Sequence, residues 1–435
     1  MLSGDELPHI LVPAPGPQSR QLASRLARVE SPNITRLDPP PPFWTEARGA
    51  AVRDADGNTY VDLTAGFGVA HAGHANPAVA AAIGRQSARL GHGLGDVYPP
   101  EPKVALLERL AAIAPGDIEV AILGSSGGEA VEAALKTAVL RTGRTGVVAF
   151  EGAYHGLTYG ALALTHRADF RTAFRAQLFE GVRFAPYPAG DNACAEIATV
   201  RNLIAAAEST PHAVGAVVVE PILGRGGLIV PPRDFLPALR ELCDGERTLF
   251  ICDEIYTGCG RTGRWFACEH DGVVPDVLTV GKALTGSVAL SAAVGTRDAM
   301  RGWPPSRGEA MHTSTFLGNP IACAAALAQL EQIESLGLLA RAARLGQMIQ
   351  DRAAHWHRRY GFVDRPRGRG VLQGVPVHGA GRALRVTDRC LREGVLVLAE
   401  GPAADVLAIT PPAVITDAQL EYALGIIETA LGDGA

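Results

Sequence analysis

Between about residue 100 and residue 330 the sequence alternates amphipathic helical segments with short apolar segments, and this alternation constrains the fold more than any other feature. The predicted helices are 102–113, 128–141 and 233–243, and the predicted strands are 118–123, 146–150, 214–219, 248–252 and 276–280. Short apolar strands separated by helices are typical of a mostly parallel sheet covered on both faces. The sequence therefore predicts an α/β fold, with ligands bound at the carboxyl ends of the strands.

The two ends of the chain follow a different pattern. Residues 51–64 alternate polar and apolar side chains around Asp56-Gly57, which predicts a two-residue β-hairpin. The other predicted elements are a short helix at 21–28, a long helix at 319–358, strands at 371–377, 395–398 and 405–409, and a final helix at 417–431. We therefore predict a large α/β domain at 100–335, a smaller α+β domain formed by 45–99 and 336–435, and a proline-rich N-terminal arm at 1–44.

Composition excludes several classes of function. The 40 basic and 45 acidic residues give a net charge of −5 without a basic cluster, which argues against nucleic-acid binding. The seven cysteines are scattered, and neither cysteine nor histidine shows the spacing of a metal site. Neither a signal peptide nor an apolar run long enough for a membrane span is visible, so we expect no membrane partner and a cytoplasmic protein.

Two apolar strands deliver reactive side chains at their ends. TLFICDEIYTG places Asp253 after a strand, where a buried carboxylate needs a cationic partner. DVLTVGKALTG places Lys282 in the same way, and Lys282 is one of only three lysines, with Lys103 and Lys136 predicted to lie on solvated helix faces. A lysine amine becomes a nucleophile when its surroundings lower its pKa, so Lys282 is the candidate nucleophile.

Two further patterns also follow predicted strands. The turn Gly124-Ser125-Ser126-Gly127-Gly128 opens a helix, and such a turn exposes N–H groups that favour a phosphate. Tyr154, in the Tyr-His-Gly sequence after another strand, can lie flat on a planar ligand. Each pattern alone is also compatible with a purely structural role.

Together, the four patterns describe a site for a planar, phosphorylated and cationic ring attached to a lysine, which is pyridoxal phosphate. Its aldehyde would bond to Lys282, its pyridinium nitrogen would pair with Asp253, and its phosphate would bind at the turn formed by Ser126, Gly127 and Gly128. The amine of Lys282, once displaced by the substrate amine, can move a proton between the substrate and the cofactor. Transamination is therefore the expected chemistry.

The sequence resembles the class III, ornithine/4-aminobutyrate-type aminotransferases of fold type I over about residues 45–425. The matching blocks, in family order, are DGNTYVDLTAGFGVAHAGHANPAV, SSGGEAVEAALKTA, FEGAYHGLT, VVVEPILGRGGLIVPP, ICDEIYTGCGRTGRW, VGKAL and HTSTFLGNPIACAAALA. The resemblance implies that Lys282 bonds to the cofactor, that Asp253 pairs with its ring nitrogen and that Tyr154 stacks on its ring. It also implies that Gly127 and Gly128 hold the phosphate, and that Thr315 reaches the phosphate of a partner subunit in a homodimer with shared sites.

The chain departs from the family pattern around the substrate. Tyr256 replaces a glutamine near the cofactor phenolic oxygen, and its hydroxyl can donate the same hydrogen bond. Leu157 and Ala408 stand where many members carry arginines that bind substrate carboxylates, and Arg225 stands where a gating glutamate is common. Phe67, after the first hairpin, either lines the substrate pocket or belongs to the core.

Neither leucine nor alanine can replace an arginine fork. We therefore hypothesise that the amine substrate is an amino sugar or another specialised metabolite, with Arg225 binding the carboxylate of a glutamate-like co-substrate and an oxo acid such as 2-oxoglutarate as acceptor. Three alternatives remain open: an ordinary ω-amino acid aminotransferase whose carboxylate-binding residues have moved, an epimerase, aminomutase or decarboxylating transaminase with the same cofactor, and a non-catalytic binding protein.

Overall fold

The computed structural model describes residues 1–433, in which helices and strands alternate over most of the chain. The helices are α1 (Pro17–Leu26), α2 (Ala65–Gly68), α3 (Pro77–Arg89), α4 (Glu101–Ile113), α5 (Gly127–Thr142), α6 (Tyr159–Leu164), α7 (Ala168–Arg171), α8 (Cys194–Ala207), α9 (Phe235–Glu246), α10 (Arg297–Met300), α11 (Pro320–Ser335), α12 (Leu338–Arg359), α13 (Arg382–Arg392) and α14 (Asp417–Gly432). The strands are β1 (Trp44–Arg48), β2 (Ala51–Asp54), β3 (Thr59–Asp62), β4 (Ile118–Gly124), β5 (Gly146–Phe150), β6 (Val182–Ala185), β7 (Val214–Val219), β8 (Leu249–Asp253), β9 (Val277–Val280), β10 (Ser291–Thr296), β11 (Arg367–Arg369), β12 (Leu372–Pro376), β13 (Val395–Leu396), β14 (Leu398–Glu400) and β15 (Val406–Ile409).

A seven-stranded sheet with the order β4-β10-β9-β8-β7-β5-β6 forms the centre of the molecule. All neighbouring pairs from β9 to β6 are parallel, whereas β10 runs antiparallel to both β9 and β4. Strands β7 and β8 are buried along their whole length, as expected for parallel strands covered on both faces. The predicted mostly parallel sheet is therefore confirmed, and the carboxyl ends of β4, β5, β7, β8 and β9 meet at one edge.

Strands β6 and β10 were not predicted from the sequence. Strand β10 reads SAAVGT and β6 reads VRFA, and neither is a run of large apolar residues. Small residues give β10 no apolar pattern of its own, and it forms because it fills the gap between β4 and β9.

Two four-stranded sheets lie at the ends of the chain, with the orders β1-β2-β3-β13 and β11-β12-β15-β14. The predicted strand at 395–398 is in fact split, because the chain leaves the first sheet after Leu396 and enters the second sheet at Leu398. Helices of the C-terminal part of the chain pack against both sheets. The division of the chain into the predicted domains stays a prediction.

The hairpin between β2 and β3 forms at the predicted place, but its loop has three residues rather than two. The N–H of Asp54 donates to the carbonyl of Asn58 at 3.0 Å, and the N–H of Gly57 donates to the carbonyl of Asp54 at 3.1 Å. The Asp54 carboxylate accepts the N–H groups of Asp56 and Asn58, which stabilises the longer loop from inside. Gly57 has φ 88°, the left-handed conformation that such a loop requires.

The long helix predicted at 319–358 is also two helices. Helix α11 ends at Ser335 and α12 begins at Leu338, with Gly337 between them at φ 61°. Glycine adopts this left-handed conformation without steric cost, so it ends one helix and turns the chain into the next.

The N-terminal arm is anchored to the first of the end sheets. Leu11 and Val12 donate their N–H groups to the Asn58 side chain, and Gln18 and Ser19, at the start of α1, donate theirs to the Asp56 carboxylate. Helix α1 begins four residues earlier than the predicted 21–28 because Pro17 occupies its first position. In residues 1–433, no helix is long and apolar enough to cross a bilayer, and no group of three or more metal-ligating side chains occurs.

Candidate active site

A cavity of about 450 Å³ opens at the edge of the large sheet where the carboxyl ends of the parallel strands meet. Its lining combines a glycine turn, a lysine, two carboxylates and aromatic rings. The lining residues are Ser126, Gly127, Gly128, Tyr154, His155, Gly156, Leu157, Thr158, Glu220, Arg225, Asp253, Ile255, Tyr256 and Lys282. A cavity at this edge is the expected ligand site of an open α/β sheet.

Lys282 follows β9 after one residue, Gly281, and begins a short 3-10 helix at Lys282–Leu284. Its backbone has φ 43°, a left-handed conformation that is unusual for a residue with a side chain. Its Nζ atom lies 4.1 Å from the centroid of the Tyr256 ring. Burial lowers the pKa of the Lys282 amine to about 8, although the charges of Asp253 and Glu220 partly oppose that shift. A neutral amine is therefore accessible near neutral pH.

Asp253 ends β8 and is almost completely buried. Its Oδ2 lies 2.7 Å from Nδ1 of His155, while its Oδ1 accepts the Thr279 hydroxyl and the Ile255 N–H, both at 3.1 Å. Burial lowers the pKa of His155, but the hydrogen bond and charge of Asp253 outweigh it, so the net shift is upward. The partner of this carboxylate is therefore a histidine.

The glycine turn forms the N-terminus of α5. Ser126 is the N-cap, and its hydroxyl accepts the N–H of Glu129 at 3.3 Å. Gly127 and Gly128 are the first two helical residues, so their N–H groups have no carbonyl partner within the helix. A Cβ atom on Gly127 would lie 2.8 Å from Ile255, and one on Gly128 would lie 2.9 Å from Thr158. Only glycine keeps this turn open toward an anion.

Glu220 connects Tyr154, whose ring lines the cavity, to the turn that carries Arg225. It accepts the N–H of Tyr154 at 2.9 Å and the N–H of Gly224 at 3.0 Å. Burial raises the pKa of Glu220 to about 7, which the positive charge of His155 partly opposes. The guanidinium carbon of Arg225 lies 4.8 Å from the centroid of the Tyr154 ring, so the cation packs on this ring.

Arg225 faces a carboxylate that the sequence did not point to. Its Nε lies 3.9 Å from Oε2 of Glu400, which is beyond hydrogen-bond distance, and within residues 1–433 that buried Nε has no hydrogen-bond partner. Glu400 ends β14 and is 8% exposed. Burial raises its pKa, and the positive charges of Arg225, Lys282 and Arg167 oppose this. Arg225 therefore keeps a donor that can bind an incoming anion.

Comparisons with known proteins agree with this geometry. The profile of the family "Aminotransferase class-III" matches residues 35–431. The chain belongs to the class III aminotransferases. It is 35% identical to a 4-aminobutyrate aminotransferase of Mycobacterium leprae, over 100% of both chains. It is 38% identical to an acetylornithine aminotransferase of Mycobacterium bovis, over 93% of this chain and 95% of the relative.

Solved structures of transaminases have the same fold. An amine transaminase from an uncultivated Pseudomonas species, solved with pyridoxal phosphate bound, matches with a TM-score of 0.86 at 27% identity, over 94% of this chain and 98% of the other. The ornithine aminotransferase of Toxoplasma gondii matches with a TM-score of 0.83 at 30% identity, over 94% and 93%. This class III aminotransferase therefore has the predicted fold type I architecture and uses pyridoxal phosphate as its cofactor.

The cavity residues of the aminotransferase fit each part of this cofactor. Lys282 offers a buried amine with a lowered pKa, and Asp253 offers a carboxylate fixed by three neighbours. Gly127 and Gly128 offer unpaired N–H groups at a helix N-terminus, where a phosphate is favoured.

Of the remaining predicted site residues, some line the cavity and others do not. Tyr256 and Leu157 line the cavity of the aminotransferase, and Leu157 is largely exposed. Ala408 is 2% exposed and packs behind Tyr256, so it does not line the cavity itself. Phe67 is 59% exposed and Thr315 is also exposed, and neither lines the cavity of this chain. Their roles in substrate and phosphate binding stay predictions.

Lys103 differs from its prediction as a solvated lysine. Its amine is partly buried and donates to the carbonyl of Gly95 at 2.6 Å, and burial lowers its pKa. Lys136 is exposed, as predicted. Neither lysine lines the cavity, which leaves Lys282 as its nucleophile candidate.

Proposed function

We propose that the chain transfers an amino group between a primary amine and an oxo acid such as 2-oxoglutarate in two successive half-reactions, with Lys282 and Asp253 at the reacting centre. The single observation that carries this proposal is that both side chains line one cavity together with the unpaired N–H groups of Gly127 and Gly128. A nucleophilic amine, a fixed carboxylate and an anion site are the three requirements of the cofactor.

Pyridoxal phosphate, when bound, supplies an aldehyde carbon that receives the amino group and a ring that withdraws electrons. Asp253, held by His155 and Thr279, would keep a proton on the ring nitrogen. The amine of Lys282 would take the proton from the substrate carbon and return it, since its pKa of about 8 is close to neutral pH. The Tyr256 hydroxyl would donate a hydrogen bond to the phenolic oxygen of the cofactor.

A Lys282→Ala variant tests the reacting centre. We expect the variant to lose amino transfer by more than about a thousandfold, because it lacks both the nucleophile and the base. Added methylamine should restore part of the rate by replacing the missing base. Wild-type rates in Lys282→Ala would refute the role of Lys282.

For the amine substrate we propose an amino sugar or a similar specialised metabolite, with Arg225 binding the carboxylate of a glutamate-like co-substrate. Among the described residues that line the cavity, Arg225 is the only arginine. Its Nε is unpaired, and Glu400 is too distant to occupy it. Leu157, which also lines the cavity, has no donor for a carboxylate.

The second candidate is an ordinary ω-amino acid substrate. It is supported by the relatives at 35% and 38% identity, which are named 4-aminobutyrate and acetylornithine aminotransferases. Half-reactions with 4-aminobutyrate, acetylornithine, ornithine and amino sugars, followed by the absorbance of the cofactor, separate the two candidates. Rapid conversion of an ω-amino acid would exclude the amino-sugar proposal.

Arg225→Ala should weaken glutamate binding by at least tenfold and leave an uncharged amine nearly unaffected, because only glutamate presents a carboxylate to the guanidinium. Arg225→Lys is the matched control, since it keeps the charge and loses the planar fork. Equal losses for both substrates in Arg225→Ala would show that Arg225 supports the cavity rather than the carboxylate.

We further propose that two copies of the chain share their active sites through Thr315. Thr315 lies in an exposed loop that packs against residues 91–98: the Thr313 hydroxyl donates to Asp96 at 2.8 Å, and the rings of Phe316 and His92 are 5.3 Å apart. The surface around it is apolar and exposed, which is typical of an interface. Its exposed apolar residues are Leu94, Val97, Tyr98 and Phe316.

Subunit complementation tests this arrangement. Lys282→Ala and Thr315→Arg chains should each be inactive, and mixed dimers should contain one intact site if Thr315 acts across the interface. Random mixing would then restore about a quarter of the wild-type activity, because half of the dimers are mixed and each has one working site. A mixture that stays inactive would show that Thr315 does not act in the partner's site.

A further inference from the structure

Arg261 is a completely buried cation in the segment that follows Tyr256. One of its terminal nitrogens donates to the carbonyl of Pro411 at 2.8 Å and lies 3.3 Å from Nδ1 of His71. The other donates to the carbonyls of Val371 at 2.9 Å and Thr410 at 2.8 Å. A single side chain therefore joins the loop after β8 to the ends of two adjacent strands, β12 and β15, of the neighbouring C-terminal sheet.

Arg261 has no carboxylate within 4 Å in the part of the chain that the structure describes, residues 1–433. Burial lowers its pKa to about 10, so it keeps its charge at neutral pH. The charge of Asp62, more than 4 Å away, partly opposes that shift. A buried charge whose direct partners are neutral dipoles is still costly, and an apolar residue of similar volume is often as stable. Anchoring alone therefore does not explain why a charge is placed here.

Tyr256 lies on the other side of this cation. A Cβ atom on Gly68 would lie 2.6 Å from the Tyr256 ring and 3.8 Å from Nε of Arg261, so the absence of a side chain at Gly68 lets the two approach the same point. That buried Nε has no hydrogen-bond partner among the described residues. Arg261 thus presents an unpaired N–H of its cation toward the side of the Tyr256 ring.

The carbonyls that Arg261 binds also position the wall behind Tyr256. The Tyr256 ring packs on a small cluster of Leu228, Leu372 and Ala408. Val371 directly precedes Leu372, and Thr410 follows Ala408 by two residues. The hydrogen bonds of Arg261 therefore fix both strands that supply this cluster.

We propose that Arg261 is a positioning residue for amino transfer, which fixes the wall against which Tyr256 packs and keeps a positive charge beside its phenol. The proposal rests on the function proposed above, in which Tyr256 donates a hydrogen bond to the cofactor. A nearby cation makes the phenol a stronger donor, because it stabilises the electron density left on the oxygen.

The charges around Tyr256 define what the test should show. Burial raises the pKa of the Tyr256 phenol. Arg261 provides the largest opposing effect, and a hydrogen bond with the Thr410 side chain and the charge of Arg225 oppose it too. Glu400 raises it, and the Lys282 amine lies over the ring. Removal of Arg261 should therefore move the titration of Tyr256 to higher pH.

The test uses the full-length holoenzyme labelled with 3-fluorotyrosine, whose phenols titrate at lower pH than those of tyrosine. The chain has eight tyrosines, and the ¹⁹F resonance of Tyr256 is identified by its loss in Tyr256→Phe. In Arg261→Met we expect its midpoint to move to higher pH, and the KM for the amine to rise about tenfold. In Arg261→Lys the midpoint should stay near that of the wild type while KM rises, because the charge remains and the fork is lost.

An unchanged Tyr256 midpoint in folded Arg261→Met would overturn the proposal, since a purely structural role would change only thermal stability. If Arg261→Met does not fold, an unchanged KM in Arg261→Lys would overturn it as well. A wild-type KM in Tyr256→Phe would show that Arg261 does not act through Tyr256. Product formation by the wild type is measured separately, so failure of the amino-transfer proposal itself is recognised independently.

Discussion

Replacement of Lys282 by methionine should make the cofactor-free protein more stable at neutral pH. Folding lowers the pKa of this amine from 10.5 to about 8, mainly through burial. The folded chain therefore binds the proton on Lys282 less readily than the unfolded chain does. Below pH 8 the amine is protonated in both states, and the folded state carries the full cost of the buried charge.

The size of the effect follows from the shift. A difference of one pKa unit corresponds to about 1.4 kcal/mol, so the shift from 10.5 to about 8 predicts a gain of about 3 kcal/mol for Lys282→Met at about pH 7. The unfolded chain binds more protons than the folded chain between the two pKa values, so the cost falls as pH rises through this window. At about pH 9.5 the gain should be about half of its value at neutral pH.

Urea unfolding of the cofactor-free chain, followed by circular dichroism, measures this gain as a change in the midpoint and in the free energy of unfolding. Lys136→Met is the matched control, because Lys136 is exposed on α5 and does not line the cavity. It should change stability by less than about 0.5 kcal/mol. The reasoning is refuted if Lys282→Met is no more stable than the wild type at neutral pH, or if its gain does not decrease with pH.

Two further substitutions test the cofactor-binding groups. Gly127→Ala should weaken binding of pyridoxal phosphate by at least about tenfold, because its Cβ would lie 2.8 Å from Ile255, and equilibrium dialysis measures this loss. Gly84→Ala on α3 is the control, since no atom lies within 4 Å of its Cβ, and it should stabilise the chain by about 0.5–1 kcal/mol. His155→Phe removes the 2.7 Å contact with buried Asp253 and should lower the affinity for the cofactor by about 10- to 100-fold. His155→Asn can keep a donor near Asp253, so it should lose less affinity. Equal losses in the two variants would contradict the role of that hydrogen bond.

Most elements of the large sheet could be predicted because their signals are local. Strands β5 and β7 have the predicted boundaries, since each is a run of apolar residues between helices. Strand β10 gave no such signal, because its residues are small and it forms only through its pairing with the neighbouring strands β4 and β9. The break at Gly337 was missed because a single glycine inside an apolar helical pattern is usually tolerated.

The positions of Lys282, Asp253 and the glycine turn in one cavity could also be expected, since each follows a parallel strand. The partners of these residues could not. The ring of His155 contacts Asp253, which lies 98 positions further along the chain. Glu400 and Arg261 carry no local pattern, and their partners lie far away along the chain.

The order of apolar and polar residues along the chain determined the strands, the helices and the edge at which ligands bind, because backbone periodicity and strand direction depend on near neighbours. Tertiary structure alone decided which charges meet. The approach of Glu400 to Arg225, and the placement of the Arg261 cation beside Tyr256, arise where separate sheets pack together. Low solvent access then amplifies each electrostatic interaction, and that amplification depends on packing that no short segment encodes.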